Sequence, residues 1–252
     1  MIAAINKTYR FFFCRGGYGV HSPFVFDLIT NVIEDKYGYY CYEKLSIARK
    51  QLIHDSSKIK CNNRSYTVNE VLWKFCFSKH ESQLLFRLAN HFQLSSIYLI
   101  GCDLGLAPLY LTSWSGATQC VIFEPKPESA SVAQKIIDKY STASVEIRNT
   151  FNPEDAKNSE LIVWGKLFCN ICDDERSNYI TFSIETFNQL LTFINNNSIM
   201  VISGINASKK NKDTWKNVCA APEVTVTIDL YNLGIVFFNP KLNKKTYKSF
   251  VL

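Results

Sequence analysis

The sequence predicts an α/β fold: a mostly parallel sheet covered by helices on both faces, ending in an antiparallel hairpin and preceded by a helical N-terminal region. Three observations carry this. From Ser96 onward, short apolar runs alternate with helix-length amphipathic segments, the signature of strand–helix–strand crossovers. Several of the runs, Ile97 to Ile100 and Cys120 to Phe123 among them, are apolar throughout, as strands buried on both faces are. Near the end, Val224 to Leu230 and Ile235 to Phe238 flank Asn232-Leu233-Gly234, which reads as a hairpin turning on Gly234. The expected division is a helical region over 1–95, packed on a sheet domain over 96–252.

The N-terminal region opens at Ser22-Pro23, with serine as N-cap and proline at the first helical position. Phe24, Leu28 and Val32 then share one face of a helix over Pro23 to Ile33. Glu43 to His54 repeats the pattern with Leu45, Ala48 and Leu52. Asp55 to Ser65 reads as a polar loop. Thr67 and Glu70 have capping-box spacing and open a third helix running through Trp73 to Phe77. A fourth spans Glu81 to Phe92, with Leu84, Leu85, Leu88 and Ala89 inward.

Beyond Ser96 the order is strand 97–101, helix 105–114, strand 119–124, helix 127–140 and strand 144–148. A turn at Asn152-Pro153 leads to an apolar run within 161–172, then a helix from Tyr179 to Ile194. Strand 198–203 and a polar helix from Lys209 to Cys219 complete the alternation.

The junction after the first of these strands is the most informative stretch. Gly101-Cys102-Asp103-Leu104-Gly105 stands between strand and helix, and Glu124 ends the next strand. In a parallel sheet this brings a tight turn and a helix N-terminus beside an acid. Glycines admit backbone close to a ligand, and the carboxylate accepts hydrogen bonds from ribose hydroxyls. Pro108 occupies the place of a third fingerprint glycine, which favours a nucleoside without a diphosphate. Asp103 also suits a helix cap.

Composition narrows the classes further. The formal charge of +6 lies largely in lysine clusters, Lys209, Lys210 and Lys212, then Lys241, Lys244, Lys245 and Lys248. They lack the interleaved aromatics of a single-strand binder, so a nucleic-acid partner is not expected. The nine cysteines are odd in number and scattered, which suggests reduced thiols in a cytoplasmic protein. Cys169 and Cys172 form a lone C-x-x-C without a second ligand pair, so no metal is expected. Nothing approaches the about 20 apolar residues of a membrane span, and Met1 to Phe13 are too polar for a signal peptide. The aromatic run Tyr9 to Phe13 reads as core or as a subunit contact, making a homo-oligomer one expectation.

Several blocks carry a family resemblance. Arg15-Gly16-Gly17-Tyr18-Gly19-Val20-His21-Ser22-Pro23-Phe24-Val25-Phe26-Asp27-Leu28 resembles the N-terminal signature of Bacteroidetes-type class I S-adenosylmethionine-dependent methyltransferase-like proteins. Gln83 to Asn90 is similar to a second block, Gly101 to Leu111 to the cofactor-loop block, and Thr227 to Phe238 to the closing hairpin. The resemblance covers nearly the whole chain. It implies a Rossmann-like class I methyltransferase sheet, S-adenosylmethionine as cofactor held by Gly101, Cys102, Asp103, Gly105 and Glu124, and a small-molecule methyl acceptor.

Departures from the family pattern accompany these matches. The acid two residues before the first loop glycine is Leu99 here. Glu175-Arg176-Ser177-Asn178 stands for the usual D-G-N-H, and Ser203-Gly204-Ile205-Asn206-Ala207-Ser208 for D-D-I-H-W-S. Asp173 and Asp174, with Glu175, end the fourth apolar run and are candidates to position or deprotonate an acceptor, or form a solvated loop. His21 is a candidate catalytic residue or a brace for the following helix start. Two readings result: an active methyltransferase, or a catalytically degenerate relative serving as a binding or interaction module.

Overall fold

The computed structural model of the protein describes residues 10, 14–61, 64–165 and 183–250. The first helix, α1, spans Pro23–Leu28. The Ser22 hydroxyl accepts from the Val25 amide at its N-terminus, and the helix widens into a π-turn over Ile29–Ile33. α2 covers Cys41–Ile53. The expected polar loop instead holds a small hairpin, β1 (Lys58–Cys61) against β2 (Arg64–Thr67), where Ile59 is the buried anchor. α3 (Val68–Phe75) begins at the Thr67–Glu70 capping box and stops before Cys76. α4 (Lys79–Phe92) has a capping box of its own, Ser78 with Glu81. The third helix is therefore shorter than the sequence suggests, and a turn at 76–78 separates it from the fourth.

The sheet follows: β3 (Ser96–Ile100), α5 (Leu106–Thr112), β4 (Gln119–Phe123), α6 (Pro127–Tyr140), β5 (Ser144–Arg148), β6 (Leu161–Trp164), α7 (Ile184–Leu191), β7 (Ile199–Ser203), α8 (Lys209–Ala220), β8 (Val226–Asp229), β9 (Leu233–Phe237) and β10 (Lys245–Lys248). Strand order is β10-β8-β9-β7-β6-β3-β4-β5. Only β9 runs against its neighbours. The hairpin turns at 230–232, where the Leu230 amide donates to Leu233 O, and not on Gly234 as expected. Gly234 lies inside β9, opposite Ile202 and Asp229. A Cβ there would meet the Trp215 ring at 2.5 Å, so this glycine serves packing of α8 on the sheet. β10 was not expected, because Lys-Thr-Tyr-Lys carries no apolar run.

Period-two alternation divides the strands between two cores. Ile97, Leu99, Val163 and Val201 face α1, α4, α5 and α6, meeting Leu28, Leu84, Leu88 and Ala107. Tyr98, Ile100, Ile162, Trp164, Met200 and Ile202 face α7 and α8, meeting Phe187, Leu190 and Val218. A third cluster joins α2 and α3 to the outer side of α5 through Leu45, Leu52, Val71, Leu106 and Tyr110. Each buried Leu, Ile or Phe contributes about 1.5–3 kcal/mol. The N-terminal helices are thus bound into the same apolar body as the sheet. One charged link adds to this: Arg10, 8% exposed, makes a bidentate pair with Asp229 at the end of β8, at 2.7 and 2.8 Å.

Candidate functional site at the carboxyl edge of the sheet

Strand order reverses at β3: the chain proceeds to β4 and β5 on one side, then crosses to β6 on the other. In open α/β sheets such a switch point opens a crevice at the carboxyl ends of the strands, where ligands bind. The predicted loop lies here. Gly101 adopts φ 93°, and its amide bonds Phe123 O at 2.8 Å, turning the chain sharply off β3. Asp103 and Leu104 follow at φ 50° and 53°, an uncommon pair of left-handed non-glycine residues. Gly105, at φ 89°, is the N-cap of α5.

The loop and the acid come together as the sequence implies. Glu124 is 4% exposed; its Oε2 accepts from the Cys102 amide at 3.1 Å and its Oε1 from the Lys126 amide at 3.0 Å. Burial pushes its carboxyl above the ordinary range, opposed by these bonds and by the Lys126 charge. Burial, with the Glu124 charge second, raises the Cys102 thiol well above its usual value. That thiol contacts Ser129 O at 3.7 Å, so it packs inward.

Two of the predicted contact residues have close protein neighbours of their own. A Cβ on Gly105 would stand 2.8 Å from Ala133 O. The space the glycine leaves is filled by α6, which packs directly against it. Asp103 turns toward the N-terminal region, where its Oδ1 accepts from the Phe77 amide at 2.7 Å.

Phe77 is the residue that sequence reasoning missed. It occupies the turn between α3 and α4, is 1% exposed, and its ring approaches Gly165, the first residue after β6. A Cβ on Gly165 would be 3.7 Å from that ring and 3.0 Å from Ile100 O. The Phe77 ring therefore lies against Gly165, at the switch point between β3 and β6. The turn is held on both sides: Asp103 takes its amide, and Arg49 of α2 donates Nη2 to Phe77 O at 2.9 Å and to Ser82 Oγ at 3.1 Å. Ser78-x-x-Glu81 was the available signal, since a second capping box marks a helix break just before it.

Beside Glu124 the edge stays open. A groove of about 880 Å³ runs between α6 and the end of β5, lined by Glu124, Ser131, Gln134, Arg148, Thr150 and Asn152. Arg148 is committed to Glu146 and Asp155. The groove thus offers a buried carboxylate, hydroxyls and amides to a polar ligand.

The remaining candidates fall elsewhere. His21 is exposed, ahead of α1. Phe24, three residues on, packs edge-on at 5.1 Å against Phe237, which pairs with Ile199 at the start of β7. The start of α1 is thus at the amino edge, a strand's length of about 16 Å from the loop. Asp173, Asp174 and Glu175 lie outside the described residues, as do Cys169 and Cys172. Where the family motif has acids after the fifth strand of the alternation, Gly204 bonds Asn232 O and Asn211, and Asn206 bonds Tyr231 O. Among the described residues no group of three His, Cys, Asp or Glu is placed to hold a metal, and no helix is long and apolar enough to cross a membrane.

No family model matches the sequence, and no curated protein matches it. Solved structures do match in shape. A methyltransferase from Geobacter sulfurreducens superposes with a TM-score of 0.51 at 13% identity, over 65% of this chain and 80% of its own. A Podospora anserina methyltransferase with S-adenosylhomocysteine bound gives 0.51 at 12%, over 81% and 99%. An O-methyltransferase from Bacillus cereus, also in complex with S-adenosylhomocysteine, gives 0.50 at 13%, over 84% and 96%. Strand order, the reversed strand β9 and these likenesses agree: the chain has the Rossmann-like fold of class I methyltransferases.

Proposed function

We propose that the protein binds S-adenosylmethionine at the carboxyl edge and transfers its methyl group to a small-molecule acceptor. The observation that carries this reading is Glu124: a buried carboxylate, hydrogen-bonded to the glycine-loop amide of Cys102, forming the wall of an open groove beside the switch point, between α6 and the end of β5. Each of its oxygens accepts one backbone amide, and the carboxylate has further lone pairs to offer a ribose hydroxyl. Thr150 and Asn152 stand on the same wall for the base. The cofactor supplies an electrophilic methyl on sulfur. The chain's part is to orient an acceptor in line with it and exclude water, a contribution of position rather than of covalent chemistry.

A specific observation favours a second reading. The Phe77 ring is buried against Gly165, where the rest of such a ligand would extend, and so can act as a cover. If that cover is permanent, the protein is a degenerate relative that keeps the fold as a binding or interaction module. Calorimetric titration with S-adenosylmethionine and S-adenosylhomocysteine separates the two. Micromolar binding by the natural chain, weakened tenfold or more by Glu124→Ala, supports the first reading. Absence of binding at millimolar ligand, in both the natural chain and Phe77→Ala, leaves only the second.

A further inference from the structure

A second cavity, at the amino edge of the sheet, is not used by anything described above. It measures about 290 Å³ and opens between the start of α1, the end of α4 and the loops before β7 and after β9. Its floor is aromatic. Phe24 meets Phe237 edge-on at 5.1 Å and Phe92 at 6.3 Å, and Phe92 lies 6.1 Å from Phe237. Leu94 and Leu242 extend the apolar wall, and the exposed amides of Asn196 and Asn197 stand at the rim.

Glu160 is the only charged residue in the lining among the described residues. Its carboxylate is fixed through one oxygen alone: Oε2 accepts from the Ser95 amide at 2.6 Å, the Ser95 hydroxyl at 2.9 Å and the Ser96 amide at 3.2 Å. Oε1 has no protein partner among the described residues. A rotationally locked carboxylate with one oxygen left over, beside a cluster of phenyl rings, is a receptor for a cation attached to an apolar ring. The ammonium bonds the oxygen with charge assistance and is further favoured by the negative ring faces. Anions are rejected by the same carboxylate.

We propose that this cavity binds a small aromatic amine in its protonated form, with Glu160 as the ammonium acceptor and Phe24, Phe92 and Phe237 as the ring wall. A cavity of this volume is at the small end of ligand pockets and holds one ring system with a short side chain. The site is a sheet's depth, about 16 Å, from Glu124, so it stands independently of the adenosine-type ligand.

Tryptamine is the probe, with indole-3-propionate as an anion built on the same ring. Titrated calorimetrically against the whole chain, tryptamine is expected to bind saturably, one to one, and about tenfold or more tightly than the anion. Glu160→Gln keeps an oxygen for the Ser95 and Ser96 donors while removing the charge, and should abolish that preference. Leu242→Trp fills the cavity without touching the carboxylate and should remove binding. Glu124→Ala should leave tryptamine affinity unchanged. No saturable binding by the natural chain, equal affinity for the two probes, insensitivity to both cavity variants, or loss of binding in Glu124→Ala would each overturn the proposal.

Discussion

The two ends of the sheet handle their acids in opposite ways. At the carboxyl edge the acids are turned to the chain's own service. Asp229 holds Arg10 through both oxygens, Asp103 takes the Phe77 amide, and Glu124 takes one backbone amide on each oxygen. At the amino edge Glu160 gathers three donors on one oxygen and leaves the other to a cavity. The carboxyl edge is where topology predicts chemistry, yet two of these three acids, Asp229 and Asp103, hold the N-terminal region to the sheet. An acid's place in the fold therefore says less about its work than the count of donors on each oxygen.

Phe77→Ala tests the cover most severely. Removing a fully buried ring should cost about 3–5 kcal/mol, read from urea unfolding. If the ring blocks the crevice, S-adenosylhomocysteine should bind the variant more tightly than it binds the natural chain. An unchanged affinity would show that Phe77 is core alone and that the edges differ less than their geometry suggests.

Asp229→Asn should come next, at about 3 kcal/mol, because it leaves the Arg10 guanidinium buried against a neutral partner. Denaturation midpoints check this, and a loss well under 1 kcal/mol would mean the pair is solvated in solution. Gly105→Ala should cost about 2–3 kcal/mol through the clash with Ala133 O and the positive φ. Should the loss instead appear only in ligand affinity, the glycine serves approach to a ligand, as first expected.

The smallest effect is electrostatic. The folded Glu124 carboxyl titrates above the ordinary value of 4.5 that it has in the unfolded chain. Between the two values the folded state binds more protons than the unfolded state. Stability from this group is therefore lost as pH rises through that window, starting near 4.5. Glu124→Gln should flatten this part of the pH profile, measured as urea midpoints across the weakly acidic range. An equally steep profile in the variant would assign the slope to other groups.

Much of the sheet was legible because buried strands write themselves as unbroken apolar runs. Ile97 to Ile100 and Cys120 to Phe123 needed no tertiary information. The glycine loop and Glu124 were legible for a related reason, since one strand, one turn and the next strand fix their proximity. What escaped was set by partners distant in sequence. β10 forms because Lys245 to Lys248 find the open edge of β8, not because of any preference in Lys-Thr-Tyr-Lys. Gly234 looked like a turn residue until Trp215 proved to need its missing side chain. Phe77 read as the end of a helix, and only the fold reveals that it covers Gly165. Its neighbour Ser78, with Glu81, carried the one local clue.

The Arg10–Asp229 clamp also orders events in time. Its partners are 219 residues apart, and Asp229 emerges from the ribosome after most of the sheet. Arg10 has no bonded carboxylate among the described residues other than this one. During synthesis Arg10 is without this partner while strands β3 to β7 take shape, since domains form progressively as the chain is made. Closing so distant a contact adds little further entropy cost once the sheet exists, but it cannot precede the final hairpin. Closure of this clamp is thus a late step, and a chain stalled before residue 229 would lack it.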